Sequence, residues 1–98
     1  MKKFTETHEW VDVEGKVATV GVSSSALREM GEVVYVALPK VGQVVAAGDP
    51  VAILESTKAA TDIYSPVSGT VVAINESCLV HINAAPEGEG WLFRVEDK

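Results

Sequence analysis

Apolar and polar residues alternate along most of this chain with the period of two that belongs to β-strands. From Val17 to Val22, the residues Ala18, Val20 and Val22 fall on one face and Thr19 and Gly21 on the other. Val33-Val34-Tyr35-Val36 is β-branched and aromatic, and Pro39 closes that run. Further strand-like runs follow at Val44-Val45, Val51 to Leu54, Ile63-Tyr64, Thr70 to Ile74 and Trp91 to Val95. Gly42, Gly48-Asp49-Pro50, Pro66-Val67-Ser68-Gly69 and Pro86-Glu87-Gly88 supply the turns between them. One stretch changes period. Ala26, Leu27 and Met30 share a helical face, one of Ser23, Ser24 or Ser25 can cap it, and Gly31 suits the C-terminal left-handed position. That predicts one short helix near residues 24–30.

Many short strands with Gly/Pro turns predict an all-β fold, a small sandwich or barrel, as one domain over residues 1–98. Gly42-Gln43-Val44-Val45 is echoed by Gly69-Thr70-Val71-Val72, which hints at an internally duplicated sheet. The chain is 47% hydrophobic, enough for a modest core. Fourteen acidic against eight basic residues give a net charge of -6, which argues against nucleic acid and anionic membrane and favours partners with basic docking surfaces. Cys78 is the single cysteine, so there is no disulfide framework, and it reads as a small core hydrophobe. No run is long enough to span a membrane, and the polar Thr5-Glu6-Thr7-His8-Glu9 stands where a secretory signal needs apolar residues. A cytoplasmic location follows, bacterial by preference, or the mitochondrial matrix in a eukaryote. His8 and His81 lie far apart with no Cys/His cluster, so neither a metal nor a catalytic constellation is expected. Trp10 and Trp91 read as core packing residues.

Between Lys40 and Lys98 the chain has one lysine, Lys58, at the junction of two strand-like segments in Leu54-Glu55-Ser56-Thr57-Lys58-Ala59-Ala60-Thr61-Asp62-Ile63-Tyr64. Small residues around a single amine at a turn display that amine, and covalent modification is the chemistry this suits. A free lysine amine is protonated at neutral pH and a poor nucleophile, so an enzyme must deprotonate it and supply an activated acyl group. Acylation would remove the charge and leave a long, neutral arm.

The segment from Glu55 to Gly69 resembles the lipoyl-lysine segment of the glycine cleavage H-protein family. So do His8-Glu9-Trp10-Val11, the run from Met30 to Pro39, and Gly88-Glu89-Gly90-Trp91-Leu92-Phe93, in the family's order and across nearly the whole chain. The resemblance implies a flattened β-barrel, a lipoyl-domain-like hybrid of two small packed sheets, with the modified lysine at a hairpin tip. It implies lipoate on Lys58, with Glu55 recognised by the attaching lipoate ligase or lipoyl/octanoyl transferase. Glu9, Asp62 and Thr7 would line the cleft that shelters the aminomethyl-loaded arm. Read from the residues alone, Glu9 is equally open to pairing with Lys2 or Lys3, and Asp62 to being a solvent-face strand residue.

The implied function is a non-enzymatic shuttle. It would carry an aminomethyl intermediate between glycine decarboxylase, aminomethyltransferase and dihydrolipoyl dehydrogenase. Family members usually continue past the Trp-Leu-Phe strand into a helical segment, so the resemblance is to a short form. Glu87 replaces the family's usual tyrosine, and the loop from Asn75 to Asn83 is shorter. The missing helical segment motivates an alternative, an H-like lipoyl carrier of another pathway, such as lipoyl relay or sulfur metabolism. Biotin carriers place Met on both sides of the lysine, where Thr57 and Ala59 stand here. A carrier fold with an unmodified lysine, serving as an interaction module, is the remaining alternative.

Overall fold

The computed structural model describes residues 2–97, so the two ends of the domain expected over 1–98 lie outside the described residues. The elements run β1 (Lys2–Phe4), β2 (Glu9–Glu14), β3 (Val17–Val22), α1 (Ser24–Met30), β4 (Val33–Ala37), β5 (Val44–Val45), β6 (Pro50–Ser56), β7 (Ala60–Tyr64), β8 (Gly69–Ile74), α2 (Cys78–His81) and β9 (Phe93–Glu96). Six strands form one sheet in the order β1-β2-β3-β9-β8-β5, and β4-β6-β7 form a second. Their ladders stay separate, so the expected flattened barrel takes the form of an open two-sheet sandwich.

The alternation read from the sequence decides which side chains meet between the sheets. Ala18, Val20 and Val22 of β3 are buried against Ala52, Leu54 and Ile63 of the small sheet, with Val71, Phe93 and Val95 beside them. Withdrawing each large aliphatic or aromatic side chain from water contributes roughly 1.5–3 kcal/mol. Cys78 is 2% exposed within this cluster, and burial pushes its thiol pKa up from the ordinary value.

The two echoed segments turn out to be partners. Val44 pairs with Thr70 and Val45 with Gly69 in the antiparallel β5–β8 ladder, so the Gly-x-Val-Val repeat builds one sheet edge. Three features differ from the sequence expectation. Residues 2–4 and 9–14 form strands, the last strand begins at Phe93 instead of Trp91, and a second helical turn follows Asn75. Trp10 is 3% exposed, but it packs on the outer face of the large sheet, away from the shared core. Its register partner there is Gly21, and a Cβ at Gly21 would collide with the indole ring. The indole N–H donates to the Pro86 carbonyl at 2.8 Å. Trp91 is only half-buried, with the Arg94 guanidinium 4.1 Å from its ring centre.

Candidate functional site

Strands β6 and β7 form a hairpin whose turn carries Lys58. The ladder closes at Glu55 opposite Ala60, and the Ser56 N–H then donates to the Ala59 carbonyl at 2.8 Å. The Ser56 hydroxyl knots the turn from within. It accepts the N–H groups of Lys58 and Ala59, both at 3.1 Å, and lies 3.2 Å from the Ala59 carbonyl to which it donates. A serine hydroxyl satisfying nearby backbone in this way holds a tight turn that a longer side chain could not. The tip is also fixed from the side, where the Thr57 N–H donates to the Glu32 carbonyl at 3.3 Å. Lys58 is exposed on this fixed turn, so its backbone is constrained while its side chain is free to swing.

The aliphatic part of Lys58 runs past Gly31, the residue that ends α1. A Cβ built at Gly31 would lie 3.8 Å from Lys58 Cε, in ordinary van der Waals contact. Gly31 has φ 85° and ψ -165°, a positive-φ conformation that glycine admits but not the left-handed helical position expected from the sequence, and its N–H bonds to the Leu27 carbonyl. At the other end Ser23 is the cap, accepting the Ala26 N–H at 3.2 Å. The helix is fastened a second way by Glu87, which accepts the Ser24 N–H at 2.8 Å. That hydrogen bond, aided by the charges of Lys2 and Arg28, holds the Glu87 carboxyl below its ordinary pKa. Lys2 also donates to the Glu87 carbonyl and lies 4.5 Å from the centre of the Trp10 ring.

Beside β7, α1 and the loop before β2 enclose a hollow of about 260 Å³. Its lining is mostly apolar, with Val22, Ala26, Met30 and Ile63, and Thr7, His8, Glu29 and Thr61 at its margins. A second hollow of about 360 Å³ adjoins it and is lined by Thr5, Thr7, Glu9, Gly48, Tyr64, Ser65 and Pro66. Thr7 lines both.

Glu9 is 1% exposed, and its carboxylate ties β2 to the free edge of β7. It accepts the Thr5 hydroxyl at 2.6 Å, the Thr7 hydroxyl, and the Tyr64 N–H at 3.1 Å. The last of these donors belongs to an edge strand and has no ladder partner on that side, so Glu9 supplies the acceptor that burial requires. His8, between the threonines and Glu9, has φ 70°. This left-handed turn at a non-glycine residue lets the Thr5 N–H bond the Glu9 carbonyl at 2.8 Å and folds both hydroxyls onto the carboxylate.

The structure thus brings Thr7 and Glu9 together and sets Lys58 at the hairpin tip. It does not bring Asp62 to them. Thr61 and Ile63 line the hollow, whereas Asp62 pairs with Ile53 on the opposite, solvent face of the small sheet, where Glu55 also stands. Lys2, one of the two lysines open to pairing with Glu9, instead meets Trp10 and Glu87. Sequence reasoning missed Ser56, Thr5 and the Glu87 fastening. A serine two residues before the displayed lysine was the available sign of a knotted turn. His81 lies 3.9 Å from exposed Glu89, and no three metal-ligating side chains gather among the described residues. No helix among them is long and apolar enough to cross a membrane.

Comparison with known proteins agrees with this geometry. Residues 2–98 match the family model described as glycine cleavage H-protein. The chain is 54% identical to the glycine cleavage system H protein of Thermotoga maritima over 98% of its own length and 80% of the relative's. It is 54% identical to that of Alcanivorax borkumensis, over 96% of this chain and 76% of the relative. The crystal structure of a glycine cleavage system H protein from Mycobacterium marinum superposes with a TM-score of 0.92 at 34% identity. That alignment covers 99% of this chain and 84% of the other. These relatives are named for glycine cleavage and not for another lipoate-dependent pathway.

Proposed function

The chain belongs to the glycine cleavage H-protein family, and from that premise we propose that Lys58 is the residue through which it carries lipoate, in amide linkage. It works as a carrier and not as an enzyme, the H protein of glycine cleavage, with the other components of that system as its partners. Those partners are glycine decarboxylase, aminomethyltransferase and dihydrolipoyl dehydrogenase, together with the ligase or transferase that installs the arm. Residues 1–98 act as a single lipoyl-binding domain in the cytoplasm, or in the mitochondrial matrix of a eukaryote.

The observation that carries the assignment is the exposed Lys58 on a turn whose backbone is fixed by Ser56 and by the Glu32 carbonyl. A fixed turn presents the base of the lysine side chain at one position, so the attaching enzyme has only that side chain left to orient. That enzyme removes a proton from the amine. Lys58 Nζ then attacks the activated acyl carbon, and the C–N bond forms as the bond to the activating group breaks.

The neighbouring hollows suit such an arm. Val22, Ala26, Met30 and Ile63 offer an apolar wall to a dithiolane, and Glu9 offers a carboxylate to an ammonium. A carboxylate has about four acceptor sites, and Glu9 uses three of them on Thr5, Thr7 and Tyr64, which leaves one for a cationic amine. The lipoyl group, when bound, supplies a strained disulfide that opens to take a one-carbon amine and is later reoxidised. The protein's own part is to hold Thr7 and Glu9 ready, to keep water from the apolar wall, and to leave the arm mobile enough to visit each active site.

The test is intact-mass spectrometry after incubation with a lipoate ligase, ATP and lipoate. One lipoyl group should be gained by the native chain and none by Lys58→Ala. A gain that survives Lys58→Ala would move the site elsewhere, and no gain with an active ligase would remove the carrier role.

A further inference from the structure

The small sheet has one face in the core and one bare face, and the bare face ends at Lys58. Register fixes its composition. Tyr35 pairs with Glu55 and Glu55 with Ala60, while Ala37 pairs with Ile53 and Ile53 with Asp62. These six residues form two adjacent rows on the side opposite Leu54, Ala52 and Ile63, which are buried. Tyr35 is 53% exposed and Ile53 40%, so no second layer covers them. Glu55, Ala60 and Asp62 are exposed as well. The face therefore has Ile53 and Glu55 on its central strand, Tyr35 and Ala37 on one side of them, Ala60 and Asp62 on the other, and no cation among these six.

We propose that this face, Tyr35-Glu55-Ala60 over Ala37-Ile53-Asp62, is the docking surface for the enzyme that acylates Lys58. The inference rests on the lipoyl-Lys58 reading and deepens it. Geometry separates this partner from all the others. Acylation needs the Lys58 amine itself at the partner's reaction centre, so that enzyme must cover the surface beside the turn. Every later partner meets the far end of a long arm and can dock elsewhere. The row nearest the turn supplies Tyr35 and Glu55, and Glu55 is followed directly by Ser56, which knots the turn.

Charge identifies the partner's surface. Two carboxylates flanking exposed apolar side chains, on a chain of net charge -6, call for an apolar patch flanked by lysine or arginine. Aromatic and aliphatic anchors supply most of the affinity in such contacts, and the flanking carboxylates set on-rate and orientation. This also gives Asp62 a role in keeping with its position on the face beside Glu55, away from Thr7 and Glu9.

The experiment measures acylation by a lipoate ligase with ATP and lipoate, using intact mass as readout, for the native chain and for Tyr35→Ser, Ile53→Lys and Asp62→Asn. All three positions are solvent-exposed, and circular dichroism with a melting curve checks that each variant folds. Tyr35→Ser and Ile53→Lys should raise the KM for the protein substrate roughly tenfold or more, with kcat little changed. Asp62→Asn should lower kcat/KM several-fold and weaken its dependence on salt. Tyr35→Ser and Ile53→Lys are then lipoylated to completion and offered to glycine decarboxylase, which should load them at the native rate. Native acylation kinetics in folded variants would overturn the docking face while leaving Lys58 as the site. Equal losses with both enzymes would overturn its assignment to the acylating enzyme. Failure of the native chain to gain mass would instead strike the lipoyl-Lys58 reading itself.

Discussion

Replacing Glu9 separates the role it has in the fold from the one proposed for it toward the arm. The carboxylate is 1% exposed and receives two threonine hydroxyls and the Tyr64 N–H. In Glu9→Ala the hydroxyls of Thr5 and Thr7 can rotate toward the adjoining hollow and find water, since that hollow is open to both residues. The Tyr64 N–H cannot turn. It exchanges a charge-assisted bond for at best a water in the vacated space, a loss of about 1.5–3 kcal/mol. The removed methylene adds about 1 kcal/mol more. A total near 3 kcal/mol in a domain of this size corresponds to a melting point lowered by roughly 12–24 °C. Glu9→Gln keeps one carbonyl oxygen for Tyr64 but turns an NH2 group toward the threonine side, where two donors already point. Its cost should be smaller, about 1–2 kcal/mol. Urea unfolding at neutral pH measures both variants, and Glu9→Gln, which stays folded, then reports on the arm. If the free acceptor site receives the loaded amine, the aminomethyl-loaded arm of Glu9→Gln should release its cargo to water faster than the native arm. A Glu9→Ala variant within about 0.5 kcal/mol of native stability would refute the edge-pairing argument, that being the range of an ordinary surface change. Unchanged cargo release in Glu9→Gln would remove Glu9 from the arm site.

Other expectations follow from single contacts. The Glu87 carboxyl titrates below its ordinary value because it accepts the Ser24 N–H, so the stability it adds is present above the unfolded value of 4.5 and is lost as pH falls through the lower folded value. Melting curves between pH 3 and 6 should therefore show a shallower acid-side decline in Glu87→Gln than in the native protein. Cys78 is buried with its thiol pKa raised, so iodoacetamide should leave it unmodified in the folded protein at neutral pH and label it after denaturation. Gly69→Ala should be among the most damaging small substitutions, because its Cβ would sit 2.9 Å from the Glu96 carbonyl carbon and overlap the oxygen. Overpacking of this kind costs about 1–3 kcal/mol or more, readable as a lowered urea midpoint. At His8, whose φ is 70°, His8→Gly should be neutral or mildly stabilising and His8→Val destabilising by roughly 1–3 kcal/mol.

The two periods in the sequence were enough for the sandwich and the helix because burial enforces them. Strand β3 alternates strictly since one of its faces meets Leu54 and Ile63, and α1 shows its stripe since Ala26, Leu27 and Met30 lean on that core. Strand β2 was harder to read for the converse reason. Glu9, Trp10 and Val11 are all buried, on two faces and against different partners, so no alternation survives there. A buried glutamate looks like a surface residue until its donors are seen, and those donors come from Thr5, Thr7 and Tyr64, one of them 55 positions away. Asp62 is the opposite case. Its place in the motif pointed to the arm cleft, but side chains along a strand alternate, and a single register pairing with Ile53 decides which side of the hairpin it serves. Motif position identifies the hairpin, and register divides its residues between two tasks. Thr61 and Ile63 line the hollow beside α1, while Glu55 and Asp62 face solvent. On the proposed lipoyl-Lys58 reading the hairpin needs both faces, because the arm would first be installed by an enzyme that touches the turn and afterwards sheltered by the protein that bears it.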